Sequence, residues 1–548
     1  MKTKITCLIL LVSFSVFSQR KVADEFYKNY SYIKAAEFYR IAINKGDNGV
    51  EMLTKLADCY YNNSNSKQAV YWYGLASHRT GGLTDEAKYK YAQSLRSLGD
   101  YKKAEKWLKK MPDSIFDIAN VDYNKLKVLN KDSVRIHNLE INTKNSDFGS
   151  YVHDNKLFFS SAKNKNGEMY EWNNQPYLDI YQAKIVEKEH KKNIENIIPI
   201  ISTKINTPFH ESSIAITKDG KTMYFTRNNL DLENKLEYDE EGTSHLKIYK
   251  ASLINGVWTN IIELSINDKI YSNGHPALSP DEKTLYFVSN RPDGFGETDI
   301  YKAAILGNDM YGKPENLGKK INTSGKEMFP FIAKDNTLYF SSNGYKNLGL
   351  LDIYKSDFFK NDTAKVINIG APFNSGYDDF AFFYNDDGKT GYFSSNRPGG
   401  KGQDDIYSFK TLKCYQIIKG NTYDKRTKKT LSNTLVELIN EAGKVEQRFV
   451  TKEDGIYTFK VDCEKKFTVR GTKLDYKDDF KKVASADVRG EEVLQDLYLV
   501  PLIVDNEIVI APIFFDFNKW DIRPDAAYEL EFIVKVLNNH PKMIIKIE

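Results

Sequence analysis

Cysteine is scarce in this chain, at 4 of 548 residues. No Cys-x-x-Cys and no Cys/His spacing suited to zinc occurs, which excludes a dithiol redox centre, c-type haem attachment and a finger-type zinc site. The nucleophile elbow Gly-x-Ser-x-Gly and the metalloprotease helix His-Glu-x-x-His are also missing; His210-Glu211 has no second histidine behind it. The 8 histidines are scattered. Charge of one sign is lacking too: 78 basic against 74 acidic residues leave +4, too little for the field that nucleic acid demands. No long apolar run follows residue 17, and the mean hydropathy of −0.54 argues against a multi-span membrane protein. These absences point away from an enzyme, a cofactor, a metal and a nucleic-acid partner.

What is present begins with length. At roughly 150 residues per domain the chain has room for three or four domains. The 41% hydrophobic and 28% charged fractions are those of a globular protein. Aromatics reach 13%, with 36 Tyr and 31 Phe, and such residues suit half-buried pleated surfaces. Lys2 and Lys4, an apolar stretch over 5–17 and Ser18-Gln19 have the three parts of a secretory signal peptide, assigned to residues 1–18. About 13 apolar residues cannot cross a hydrocarbon core that needs about 20. Cys7 stands too early in that stretch for a lipoprotein cysteine. The mature chain is expected in the periplasm with no transmembrane segment. In that oxidising compartment Cys414 and Cys463, 49 positions apart in strand-like stretches, are expected to pair; two packed thiols are the alternative. Cys59 falls in a helical pattern and reads as a small core residue.

Residues 19–130 carry an internal repeat. Ala23-Asp24-Glu25-Phe26-Tyr27 aligns with Ala57-Asp58-Cys59-Tyr60-Tyr61, 34 positions on, and a third copy starts at Ala92, 35 further. Ala35, Ala69 and Ala104 recur in the second helix of each pair, each followed by aromatics: Phe38-Tyr39, Trp72-Tyr73, Trp107. This period and pattern resemble the tetratricopeptide repeat, which implies an α-helical solenoid with a concave surface for a protein partner.

A second repeat fills 131–412. Leu157-Phe158-Phe159-Ser160-Ser161 returns as Met223-Tyr224-Phe225-Thr226, Leu285-Tyr286-Phe287-Val288-Ser289, Leu338-Tyr339-Phe340-Ser341-Ser342 and Gly391-Tyr392-Phe393-Ser394-Ser395. Before each stands a turn such as Asp219-Gly220 or Asp387-Gly388, suited to tight hairpins. In the last three copies Tyr301, Tyr354 and Tyr407 of Asp-Ile-Tyr follow the strand phenylalanine by 14 positions; Tyr181 and Tyr249 are their counterparts. Asn142, Asn206, Asn267, Asn322 and Asn374 open the units. Units of about 50 residues with several short strands read as a β-propeller. Five blades are counted, with a sixth, degenerate one left open, and charged surface loops are expected at 187–196 and 230–244. With Ser-Asn-Arg-Pro at 289–292 and 395–398, the region resembles WD-like, TolB-type propellers. The repeated Asp179, Asp299, Asp352 and Asp405 read as structural turn residues ahead of metal ligands, because their period is that of the blades.

Residues 413–502 alternate as strands around polar turns such as Asp454-Gly455, reading as a small β-sandwich. They resemble the transthyretin-like regulatory domain of carboxypeptidases. In 503–548, a strand over 513–518 leads through Ile522-Arg523-Pro524 into a helix over 526–538, on which Leu530, Ile533, Val534 and Leu537 share helical spacing; a second strand is expected to begin at 543–547. Phe515-Asp516-Phe517-Asn518 and Ile-Arg-Pro resemble the start of the OmpA-like α/β domain, which binds peptidoglycan. The resemblance makes Asp516, Phe517 and Asn518 a candidate binding turn. The family's diaminopimelate-gripping Asp and Arg lie beyond Glu548, so this domain is expected to be incomplete here.

Taken together the four parts resemble OmpA-family periplasmic proteins of the PorE type from the type IX secretion system. That resemblance implies a non-enzymatic adaptor with peptidoglycan and outer-membrane or secretion-complex proteins as partners. The other reading of the same residues is a periplasmic carbohydrate- or peptide-sensing protein that uses the propeller channel.

Overall fold

The computed structural model describes residues 19–546 apart from 112–121, 130–132, 189–190, 232, 362–364 and 487–488. The signal peptide expected at 1–18 lies outside the described residues, as does the middle of the loop expected at 187–196. That loop's flanks are the ends of paired strands, while the described part of 230–244 is irregular, with one isolated bridge between Leu230 and Leu236. The chain forms two compact units that divide between Thr411 and Leu412.

Each of the five recurrent aromatic runs becomes the second strand of an antiparallel sheet, of four strands in every blade but the third, which has five. The first blade is Asp147–His153, Lys156–Ser161, Asp179–Lys188 and Lys191–Pro199. The second is Glu211–Ile216, Thr222–Asn228, Leu246–Ile254 and Val257–Glu263. The third is Asn273–Leu278, Thr284–Ser289, Asp299–Gly307 and Met310–Tyr311, with Glu315–Asn316 also paired to Asp299–Gly307. The fourth is Glu327–Ile332, Leu338–Ser342, Asp352–Ser356 and Val366–Asn368. The fifth, Asp379–Tyr384, Thr390–Ser395 and Asp405–Thr411, borrows its outermost strand, Val134–Asn138, from the start of the region. The innermost strands neighbour one another in cyclic order, fifth against first. The result is a five-bladed β-propeller closed by hydrogen bonds between the two ends of its own segment, which leaves no open junction in the ring.

The interval of 14 is a cross-strand contact. Phe287, Phe340 and Phe393 stand directly opposite Tyr301, Tyr354 and Tyr407, as Phe159 and Phe225 stand opposite Tyr181 and Tyr249. All five pairs stack, with ring centroids 5.4–6.1 Å apart. Each such pair adds about 1 kcal/mol beyond the area it buries. The opening asparagines are clasps. Asn322 Nδ2 donates to the Ile300 carbonyl at 3.0 Å while its Oδ1 accepts from the Ile300 N–H at 2.9 Å. Asn142, Asn206, Asn267 and Asn374 hold Ile406, Ile180, Ile248 and Ile353 in the same two-bond way.

The expected fold class needs correction. The described chain is predominantly β, and among the described residues no free-standing tetratricopeptide solenoid precedes the propeller. Short helices do form: α1 (19–28), α2 (Tyr32–Asn44), α3 (Val50–Asn62), α4 (Ser66–Ser77), α5 (Asp85–Ser97), α6 (Tyr101–Leu108) and α7 (Tyr123–Leu126). Asn65, Thr84 and Asp100 cap α4, α5 and α6 by accepting a backbone N–H in the first turn. Ala35, Ala69 and Ala104 are fully buried. These helices belong to the same compact unit as the propeller and form a layer on it. Tyr89 Oη and Gln93 Nε2 donate to the Asn343 carbonyl at 2.7 and 2.8 Å, and Arg96 reaches Asn347 Oδ1 at 2.9 Å. Trp172 of the first blade stacks on Tyr30 and donates to the Asn62 carbonyl. A Cβ on Gly376 would stand 2.3 Å from the Ser97 carbonyl, so only glycine admits that approach. Three polar side chains of α5, Tyr89, Gln93 and Arg96, are thus spent on blade loops rather than left for a partner.

The second unit is a two-layer sandwich. One sheet orders Ile456–Asp462, Tyr415–Asp424, Leu497–Pro501 and Tyr476–Lys477, with Glu492–Leu494 beside Tyr415–Asp424. The other orders Val445–Val450, Leu435–Asn440, Lys466–Thr472 and Asp479–Ala484. Ile418, Val436, Leu438, Tyr457, Val469 and Leu497 fill the core between them. Cys414 and Cys463 are bonded, with Cα atoms 5.5 Å apart, and Cys59 is a buried free thiol. The OmpA-like strand–helix–strand expectation is also corrected. Helix α8 (Pro524–Asn539) forms, but 513–516 and 543–546 take no strand conformation. A strand needs a hydrogen-bonding neighbour, and none lies beside either segment among the described residues.

Candidate functional site

The five innermost strands surround a cavity of about 1220 Å³. Its shape follows from a repeated irregularity. Each innermost strand carries a β-bulge at the same place, and the bulged residue is left-handed: Gly149, Ser213, His275, Phe329 and Ala381, at φ 72°, 45°, 52°, 51° and 52°. Four of the five are not glycine, and each of those costs on the order of 1 kcal/mol of backbone strain. Hydroxyls of the preceding blade help to hold the bend. The N–H groups of Gly149, Ser213 and His275 donate to Ser394 Oγ, Ser160 Oγ and Thr226 Oγ1. In the third blade that hydroxyl position is Val288, and the Phe329 N–H instead donates to His275 Nδ1 at 3.3 Å. Burial holds the His275 imidazole neutral, its pKa pushed down to about 3.

Where the innermost strands begin, aromatic rings meet across the axis. Phe148 of the first blade touches Phe329 of the fourth and Phe380 of the fifth, and His275 packs 3.9 Å from Phe329, centroid to centroid. At the other end lie the hairpin turns, with Asp154, Asp219, Glu282, Asp335, Asp386 and Asp387 around the mouth and Lys218 and Lys334 among them. Lys334 pairs with Asp386 at 2.9 Å, and Lys218 Nζ donates to the Pro280 carbonyl. Tyr151, Ile214, Phe331 and Phe383 line the wall between. Three polar atoms of its lining residues are buried without a hydrogen-bond partner among the described residues: Ser150 Oγ, Ser213 Oγ and Asn385 Oδ1.

The acids that repeat blade by blade serve the framework. Asp147, Glu211, Glu327 and Asp379 head their innermost strands and accept from the backbone and hydroxyl of Thr143, Thr207, Thr323 and Ser375; Asn273 takes the place in the third blade. Burial lifts the Glu211 carboxyl to about 8 and that of Glu327 to about 7. Asp379 is also raised by burial, against the opposing pull of Arg397 at 2.5 Å. The Asp-Ile-Tyr acids clasp turns. Asp405 accepts from the Lys401 and Gly402 N–H groups and Asp299 from those of Phe295 and Gly296, while Asp352 takes Leu348 N–H and Asn368, and Asp179 takes Asn164. His210 is half-buried, with its Nδ1 accepting from the Leu178 N–H, and desolvation pushes its pKa down to about 3. Arg227, Arg291 and Arg397 lie over the stacked Phe/Tyr pairs, and Tyr345 fills that place in the fourth blade.

The turn proposed from sequence lies in the second unit. Phe517 and Asn518 form a turn, with Asn518 at φ 57°, and Asp516 Oδ1 is 3.4 Å from Arg523. Phe517 is 94% exposed and Trp520 86%. Sequence reasoning missed the bulge ring and the three orphan atoms. For the bulges, the aligned hydroxyls Ser160, Thr226 and Ser394 were the available signal; Val288 breaks the series, and Ser341 Oγ stands in it without a partner among the described residues.

No family model and no curated protein matches the sequence. Solved structures similar to it include a putative TolB from Agrobacterium tumefaciens, at 13% identity over 60% of this chain and 97% of that one, with a TM-score of 0.29. A protein of unknown function from Dyadobacter fermentans is similar at 11% identity over 51% and 100%, with a TM-score of 0.31. An endo-arabinase from Bacteroides thetaiotaomicron is similar at 14% identity over 50% and 96%, with a TM-score of 0.32. Among the described residues no helix is long and apolar enough to cross a membrane.

Proposed function

We propose that the chain is a non-enzymatic adaptor of the cell envelope, exported to the periplasm, which ties an outer-membrane-associated complex of the type IX secretion kind to peptidoglycan. The observation that carries the non-catalytic part is the use of the repeated acids. Asp147, Glu211, Glu327 and Asp379 are bonded to the turns that frame the blades, and among the described residues they accept from Thr and Ser side chains, backbone N–H groups and, at Asp379, Arg397, rather than from a histidine or lysine that could relay a proton. The wall-binding part is supported by the Phe515–518 and Ile-Arg-Pro motifs, which stand on an exposed apolar segment with Phe514, Phe517, Trp520 and Ile522 open to solvent. Sedimentation with purified cell wall tests it. The full gene product should pellet, and a chain ended at residue 502 should stay in the supernatant with its propeller melting unchanged. Equal pelleting of both would sink the anchor.

A second reading is favoured by one specific feature, the cavity of about 1220 Å³ enclosed by the five innermost strands. In it the protein senses a carbohydrate or peptide in the propeller channel. Cross-linking in cells followed by purification separates the readings: secretion-complex proteins support the adaptor, and a small ligand with no protein partner supports the sensor.

A further inference from the structure

We infer that the outward face of α6 docks the helical layer on an anionic phospholipid surface, a reading that stands apart from the cell-wall anchor. The first observation is the charge of that face. Residues 101–110 carry five lysines and one acid, Glu105. Ala104 and Leu108 are buried and Trp107 packs against the helical core, so helical spacing turns Lys102, Lys106 and Lys109 to solvent together. Lys103 pairs with Asp100 at 2.9 Å and Lys110 lies over the Trp107 ring, whereas those three are in no ion pair among the described residues. The acids that open α5, Asp85 and Glu86, are already held by Lys88 and Lys90 at 2.7 and 2.5 Å. Helix stability does not account for this face. Lysines in the last turn suit the negative end of the helix dipole, but Lys102 and Lys103 stand in the first turn, at its positive end, where a cation is unfavourable.

The second observation is apolar surface beside the charge. Leu98, which leads into α6, is 45% exposed, and on α4 Tyr71 is 57% exposed with Leu75, one turn on, also open to solvent. Tyr91 of α5 joins the two helices. Its ring lies 5.2 Å from that of Trp107 on α6, and a Cβ on Gly74 of α4 would stand 3.3 Å from its hydroxyl. Apolar side chains rimmed by charge mark an interaction surface, and tyrosine suits the headgroup level of a bilayer. The third observation is the kind of cation. Every cation in 100–110 is lysine. Protein interfaces are enriched in arginine and depleted in lysine, because a flat guanidinium grips a carboxylate with two bonds. Lysine is a mobile point charge on a flexible stem, and it suits a field of headgroup phosphates better than one fixed partner group. Charge and cation type thus favour a lipid surface over an acidic protein.

Vesicle flotation tests this on the chain from residue 19 on, which leaves out the apolar stretch over 5–17. Vesicles of phosphatidylcholine mixed equally with phosphatidylglycerol should float the protein, and pure phosphatidylcholine should float far less; binding to the charged vesicles should fall as salt rises. Each lysine at an anionic surface contributes about fivefold, so the triple change Lys102→Gln, Lys106→Gln and Lys109→Gln should weaken binding about a hundredfold. Glutamine keeps the helix propensity, and the circular-dichroism melt shows that the layer remains folded. The same three changes to arginine should leave vesicle binding near the parent's, as a diffuse field requires. Equal flotation on charged and neutral vesicles, or a glutamine variant that floats as the parent does, overturns the inference. Tighter binding of polyglutamate than of the charged vesicles also overturns it and assigns the face to an acidic protein segment. Pelleting with cell wall is read separately: its failure in the parent sinks the anchor alone, and the glutamine variant should pellet as the parent does.

Discussion

Glu211 shows how a single buried acid sets a property of the whole propeller. It accepts the Thr207 N–H at 3.0 Å and the Thr207 hydroxyl at 2.6 Å, which favours its charged form, yet burial outweighs both and lifts its carboxyl to about 8. Glu327 behaves alike, at about 7. In the unfolded chain both titrate near 4.5. Between 4.5 and the raised values the folded state therefore holds more protons than the unfolded one, so stability falls as pH rises. His210 and His275 act in the opposite sense, but only below their unfolded value of 6.5, since burial drops both to about 3. The carboxyl effect is thus isolated between about pH 6.5 and 8. In that window the melting temperature of the first unit should decline, and Glu211→Gln should flatten the decline while keeping an acceptor for one of the two Thr207 bonds. Parallel slopes for the two proteins, measured by calorimetry, would show that Glu211 is ionised throughout.

At the scale of the element, the blade is a strand set held by one side-chain clasp. Asn322 is buried and bonds both backbone groups of Ile300. Asn322→Ala strands a donor and an acceptor in the interior, and at about 1–3 kcal/mol for each such group the cost should be about 3 kcal/mol. Asn322→Asp keeps only the acceptor and should fall between. Urea midpoints with an unchanged slope check both, and an alanine variant as stable as the parent would mean that water replaces the clasp. These asparagines, the strand phenylalanines and the tyrosines 14 positions on were all legible in the sequence, because each repeats and each repeat has one physical cause. The bulges were legible only through the neighbouring blade's hydroxyls that hold three of them, since Ser213, His275, Phe329 and Ala381 themselves share no chemistry that announces a left-handed backbone. The helical layer was misjudged for a different reason. The 34-residue period reports how helices pack on one another, while Tyr89, Gln93 and Arg96, which bind it to the fourth blade, carry no period at all. At the C-terminus, the aromatic-rich run over 513–518 announced a strand, but such a run supplies no partner for its backbone.

For the molecule as a whole, the division at Thr411 and Leu412 means that stability is not one number. The first unit closes its own ring through Val134–Asn138 and Asp405–Thr411 and needs no covalent staple. The second is a small sandwich stapled at one end. Tyr415 stands opposite Asp462 in the antiparallel pair of Tyr415–Asp424 with Ile456–Asp462, so Cys414 and Cys463 are the next pair in register, which brings their Cα atoms to 5.5 Å. A bond across 49 positions restricts the unfolded chain, and for a loop of about 50 residues the chain-entropy account gives roughly 4 kcal/mol. That is a large share of what a domain of this size can hold. Replacing both cysteines by serine should therefore lower the sandwich transition by many degrees while the propeller transition stays in place, as two separable calorimetric peaks. Reduction of the unaltered protein should do the same. A propeller peak that moved with the sandwich peak would show that the two units unfold as one.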